Sequence, residues 1–151
     1  MKIFILAASL ILSVNFAYAG PAAIKTLKDE ADKKVNAAVT IIKKDCGNKE
    51  LNVKIDWNRW EKSKIKEENT KNMGHVGGLA AKILENMSES CSDKNKKTEI
   101  AKIVKVNFSG KKKKIDYDQA AFEVKGKTLH VKLNVDAVGT WKNKETLDKV
   151  W

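Results

Sequence analysis

Arginine is almost missing from this chain. Arg59 is the only one among 30 basic residues, and the rest are lysines. A guanidinium reads phosphates and base edges with two parallel hydrogen bonds, whereas a lysine ammonium is a hydrated point charge suited to diffuse attraction. A sequence-reading nucleic-acid binder is not the expectation. Cysteine is equally scarce. Cys46 and Cys91 are the only two, and neither has another cysteine or a histidine at ligand spacing, so no metal site is expected. The two histidines, His75 and His130, sit in no catalytic spacing. Few aromatics interleave with the lysines, which argues against a nucleic-acid groove. Beyond Val14 no apolar run reaches the roughly 18 to 20 residues that span a bilayer, so no transmembrane segment is expected there. No repeat, low-complexity linker or cofactor fingerprint is present. Gly74, Gly77 and Gly78 lack the Gly-Lys-Ser/Thr end of a phosphate loop, and close packing of a helix explains them better.

The first nineteen residues have the order of a signal-peptidase substrate: Lys2, the apolar run Ile3 to Val14, then the small-residue site Ala17-Tyr18-Ala19. Gly20-Pro21 interrupts any continuation, and no cysteine follows the site to carry a lipid. The expected organisation is a signal peptide over 1–19 and a single domain over 20–151. Cleavage would remove one lysine and no acid, lowering the net charge from +11 to +10. Export leads to an oxidising compartment, where Cys46 and Cys91 would close a disulfide.

Apolar residues Ile24, Leu27, Ala31, Val35, Ala38 and Ile42 recur at three and four, predicting an amphipathic helix from Ala22 to Lys44. Pro21 suits its first turn, Asp29 and Glu30 lie toward its start, Lys43 and Lys44 at its finish, and Gly47 ends it. The period then changes to two, with Leu51, Val53, Ile55 and Trp57 on one face of a strand. Glu61 to Lys71 reads as a loop. Met73, Val76, Ala80, Ile83 or Leu84, Met87 and Cys91 mark a second helix. Both helices run directly into a cysteine, so the disulfide should tie their C-terminal ends together. Ser92 to Lys97 reads as turn-rich and is followed by a strand carrying Val104, Val106 and Phe108. Ser109-Gly110 and the four lysines Lys111 to Lys114 form a turn. Phe122 and Val124 lead into a hairpin at Lys125-Gly126-Lys127, and Leu129, Val131, Leu133 and Val135 lead out. Asn143 would cap a short closing helix with Leu147. The fold class is α+β: an antiparallel sheet of about four or five strands, two amphipathic helices packed on one face, and a short C-terminal helix.

The candidate binding residues fall in two places. Lys111, Lys112, Lys113 and Lys114 are the densest positive charge. A solvated turn explains them, and an anionic contact is the functional alternative, which Lys125, Lys127 and Lys132 would extend if the two turns share one end of the sheet. Trp57, Arg59 and Trp60 mix two indoles with the only arginine. They are either core and edge cover or a docking platform. His130 on a polar strand face reads as a solvated histidine.

The order Cys46-Gly47, a strand ending Ile55-Asp56-Trp57, a glycine-containing helix leading to Cys91, then a basic strand and a hairpin resembles small exported bacterial proteins of uncharacterised function. The resemblance implies an envelope or secreted location and the disulfide, and it carries over no catalytic residue. The leading expectation is a non-enzymatic exported interaction module, contacting an acidic envelope component or a protein partner through its polar sheet face and lysine-rich turns. The enzyme alternative is a small extracellular or periplasmic hydrolase acting on a cell-wall polymer, with His75 or His130 as acid–base and a carboxylate such as Asp56 nearby. No catalytic residue, cofactor or metal is assigned.

Overall fold

A computed structural model describes residues 21–58, 67–111, 120–134 and 143–151. The segment read as a signal peptide and the lysines Lys112, Lys113 and Lys114 lie outside the described residues, as do Arg59 and Trp60.

Helix α1 spans Pro21–Asp45 and buries Ala31, Val35, Ala38 and Ile42 of the predicted stripe, with Val39 beside them, while Ile24 and Leu27 are half-buried. Its last turn carries Lys43 and Lys44 against the negative end of the dipole. Asp29 and Glu30 fall too far along to serve the first turn, which has no acid. The Cys46 amide still donates to the Ile42 carbonyl (2.8 Å), and Gly47 then takes φ 69°, a left-handed conformation that frees the chain to turn away. Strand β1 is Asn52–Ile55, and the backbone becomes helical at Trp57 and Asn58. The strand therefore stops short of Trp57, which packs against the core from beyond its end.

Helix α2, Glu67–Ser90, buries Val76, Ala80, Ile83, Leu84 and Met87. The stretch expected to be a turn is instead the start of α3, Lys94–Ala101. The Asp93 carboxylate caps it, accepting from the amides of Asn95 (2.8 Å) and Lys96 (3.1 Å). Only Ile100 of α3 is buried, so the helix has no apolar stripe by which its sequence would announce it. Asn48, itself buried after α1, donates through Nδ2 to the carbonyls of Ile100 (3.0 Å) and Ile103 (2.6 Å), satisfying acceptors at the end of α3.

Strands β2 (Lys105–Lys111), β3 (Ala121–Lys125) and β4 (Thr128–Asn134) complete a four-stranded sheet of order β1-β2-β4-β3. The expected antiparallel sheet is mixed. β1 pairs with β2 in parallel, β2 pairs with β4 in parallel, and only β3 and β4 are antiparallel. The cause is the connection. Helices α2 and α3 carry the chain back between β1 and β2, and a return of that length lets the next strand enter in the same direction. The β3–β4 hairpin then inserts β4 against β2 and leaves β3 at the edge. Helix α4, Asn143–Asp148, closes the chain with Leu147 buried. Asn143 is buried and its Oδ1 accepts from the Ala120 amide (2.8 Å), pinning α4 to the start of β3.

Cys46 and Cys91 form a disulfide with Cα atoms 5.3 Å apart, joining the ends of α1 and α2 as their placement predicts. A second contact fixes how these helices run. A Cβ built on Gly77 would meet the Ala31 backbone and lie 2.7 Å from Ala31 Cβ. Ala31 precedes Cys46 by fifteen residues and Gly77 precedes Cys91 by fourteen, about 21 Å of helix in each case. The helices thus lie side by side in the same direction, and Gly77 lets their backbones approach as the close-packing reading of the glycines requires. The apolar residues of α1, α2, α3, α4 and alternate sheet positions form one core cluster. No helix among the described residues is long and apolar enough to cross a membrane.

Candidate functional site

Register and alternation sort the strand residues into two faces. Val106, Phe108, Leu129, Val131, Leu133 and Ile55 are buried on one. The residues between them form transverse rows on the other. Cα pairing sets Lys54, Asn107, His130 and Glu123 in one row across all four strands. Asn52, Lys105, Thr128 and Lys125 make the row beside it, and Ser109, Lys132 and Ala121 the row on the opposite side. Asn52, Lys54, Lys105, Glu123 and Lys125 are exposed; Asn107, Thr128, His130 and Lys132 are half-buried; Ser109 is buried.

The electrostatics of this face are one-sided. Four lysines, Lys54, Lys105, Lys125 and Lys132, stand against two acids among its described residues, Glu123 and, just beyond the end of β1, Asp56. Lys125 Nζ lies 3.0 Å from Glu123 Oε1. That hydrogen bond holds the Glu123 carboxyl below the usual carboxylate range despite partial desolvation, with the charges of Lys125, Lys132 and His130 adding to the pull. At the centre of the face, Asn107 Oδ1 is buried and has no hydrogen-bond partner among the described residues.

Lys111, which belongs to β2 rather than to a turn, and the Gly126-Lys127 turn lie at opposite ends of the sheet. Lys111, the last residue of β2, pairs with Asn134 at the far end of β4, whereas the Gly126-Lys127 turn sits beside Lys105 at the near end. Six residues of β2 separate them, roughly 20 Å. The Lys127 carbonyl confirms the placement by accepting from the amides of Val104 (2.9 Å) and Lys105 (3.2 Å). Parallel pairing of β2 with β4 is the physical reason. The end at which β2 leaves is the end at which β4 leaves, so the hairpin that opens β4 must lie opposite.

Of the aromatic group only Trp57 is described. It is half-buried against the core, and Lys28 Nζ stands 5.9 Å from its ring centroid. Asp56 continues the ladder through its amide to the Phe108 carbonyl (2.8 Å), which leaves it two strands and one row from His130. The carboxylate facing His130 is Glu123, directly opposite on β3. Sequence reading missed Glu123, Asn107, Lys54 and Lys105 as neighbours because only the strand order brings them into one array. Their alternation with apolar residues was the available signal.

A second polar cluster surrounds the disulfide. Asp148 accepts from Ser90 Oγ (2.6 Å) and Lys144 Nζ (2.9 Å), and Lys96 Nζ lies 3.1 Å from its Oδ2. Burial pushes the Asp148 carboxyl up, but the donors Ser90, Lys144 and Lys96 outweigh it and bring it down to about 2. Asp45 accepts from Ser88 Oγ (2.7 Å) through its side chain and from Lys97 Nζ (2.8 Å) through its carbonyl. These contacts knit the ends of α1 and α2 to α3 and α4, and every acid in them is already engaged by a donor. Among the described residues no group of three His, Cys, Asp or Glu could hold a metal ion. No family model, curated protein or solved structure matches the chain.

Proposed function

We propose that this is an exported, non-enzymatic interaction module, stapled by its disulfide, whose polar sheet face contacts an acidic envelope component or an acidic protein partner. One observation carries the reading: four lysines from four strands share one sheet face, whose acids among the described residues are Glu123, already paired with Lys125, and Asp56 just beyond the end of β1. In this reading α1 and α2 cover the apolar face, so the opposite face is left to meet a partner. The order of the first nineteen residues, the disulfide and the resemblance to small exported bacterial proteins support delivery to the envelope or beyond. Lysine rather than arginine suits diffuse attraction to an extended anion.

A second reading, a small hydrolase acting on a cell-wall polymer, draws on the cross-strand pair His130 and Glu123. Against it, the carboxylate is held ionised by Lys125 and is taken up in an ion pair.

The test is salt-titrated binding of the oxidised protein to anionic vesicles, an acidic polysaccharide and single-stranded DNA. The module reading expects one ligand class to stay bound at about 0.15 M salt and to weaken in Lys54→Gln/Lys105→Gln. Simultaneous release of all three at low salt would assign the charge to solubility alone.

A further inference from the structure

From the chemistry of the lysine face, and resting on its reading as a binding surface, we infer that its ligand is an acidic polysaccharide, a chain of sugar units bearing carboxylates, rather than a lipid surface or a nucleic acid. The face pairs two kinds of group. Lys105 and Lys125, two strands apart at about 10 Å, and Lys54 in the adjoining row supply cations at separated points. Between them stand hydroxyl and amide groups, Thr128 and Asn107. A ligand that meets both carries anionic groups with hydrogen-bonding groups between them.

Asn107 discriminates further. Its Oδ1 is an acceptor, closed over and unpaired among the described residues, a state that costs free energy. Only a donor relieves it. Phosphodiesters carry no proton to give at neutral pH, so a nucleic acid has its donors on the bases and phosphatidylglycerol only on its glycerol headgroup, whereas a carboxylated sugar chain presents several hydroxyls beside each anion along its length. Reaching the acceptor requires the surrounding side chains to shift, and the long flexible stems of neighbouring lysines permit this as they swing toward the ligand's anions. What the face lacks agrees. Ala121 is the only apolar residue among its described positions, leaving nothing to insert into lipid, and no Phe, Tyr or Trp there offers a base a stacking surface.

The experiment compares the oxidised protein on polygalacturonate, phosphatidylglycerol vesicles and single-stranded DNA at about 0.15 M salt, with Lys54→Gln/Lys105→Gln and Asn107→Ala. The expected result is retention on polygalacturonate alone, weakened roughly three- to tenfold by the double lysine variant. Asn107→Ala should weaken it about fivefold. Retention on vesicles or DNA with release of polygalacturonate, sensitive to the lysine variant, would overturn the polysaccharide assignment and leave the face as the binding surface. Binding that ignores the lysine variant, or retention of none of the three, would overturn both. An unchanged urea midpoint in each variant keeps the comparison free of unfolding.

Discussion

Asp148 illustrates how one carboxylate at the end of the chain can hold several elements together. Its two oxygens receive a hydroxyl from α2 and ammonium groups from α3 and α4, and its carboxyl lies at about 2, below the ordinary 3.8. A folded-state value below the unfolded one adds stability above pH 3.8, and that stability is lost as pH falls through about 2. The group is partly exposed and therefore screened, so its contribution at neutral pH is about 1 kcal/mol rather than the full value of the shift. Asp148→Asn should lower the urea unfolding free energy by about that amount at pH 7 and by progressively less below pH 3.8, with most of the difference gone at pH 2, where the folded-state carboxyl is half protonated. A difference independent of pH would mean that packing, not charge, holds the cluster. The sequence offered no sign of this residue, because Ser90, Lys96 and Lys144 are spread over more than fifty positions and meet it only in the fold.

The two long helices were legible from spacing alone, and adjacent glycines within α2 show what spacing leaves open. Gly77 has no room for a Cβ because the Ala31 backbone occupies that space, whereas a Cβ on exposed Gly78 meets nothing within 4 Å. Gly77→Ala should therefore cost about 1–3 kcal/mol by forcing α1 and α2 apart. Gly78→Ala should stabilise by about 0.5–1 kcal/mol through the helix propensity of alanine. Chemical denaturation of the two single variants tests the parallel contact directly, since equal effects would exclude it. Helix α3 marks the opposite limit. Eight residues with one buried side chain give periodicity nothing to detect, and the Asp93 cap lies in a run of polar residues that also suits a turn.

Across the whole molecule, the disulfide closes a sequence separation of 45 residues that contains β1 and α2. Chain-entropy reasoning gives it about 4 kcal/mol. The Cys46→Ser/Cys91→Ser variant should lose that much stability in urea relative to the oxidised protein, and an unchanged midpoint would show that the core alone fixes α1 against α2. The sequence by itself determined the α+β class, both long helices, the hairpin, the closing helix and the cysteine pairing, because each depends on local periodicity or on there being only one possible partner. Only the tertiary structure decided the mixed strand order, the placement of Lys111 and the Gly126-Lys127 turn at opposite ends of the sheet, and the rows that set Lys54 beside Asn107 and His130 beside Glu123. Those depend on which strand enters beside which and in what direction. Alternating side chains record only that a strand has two faces, so its neighbours are chosen by the packing of the whole core.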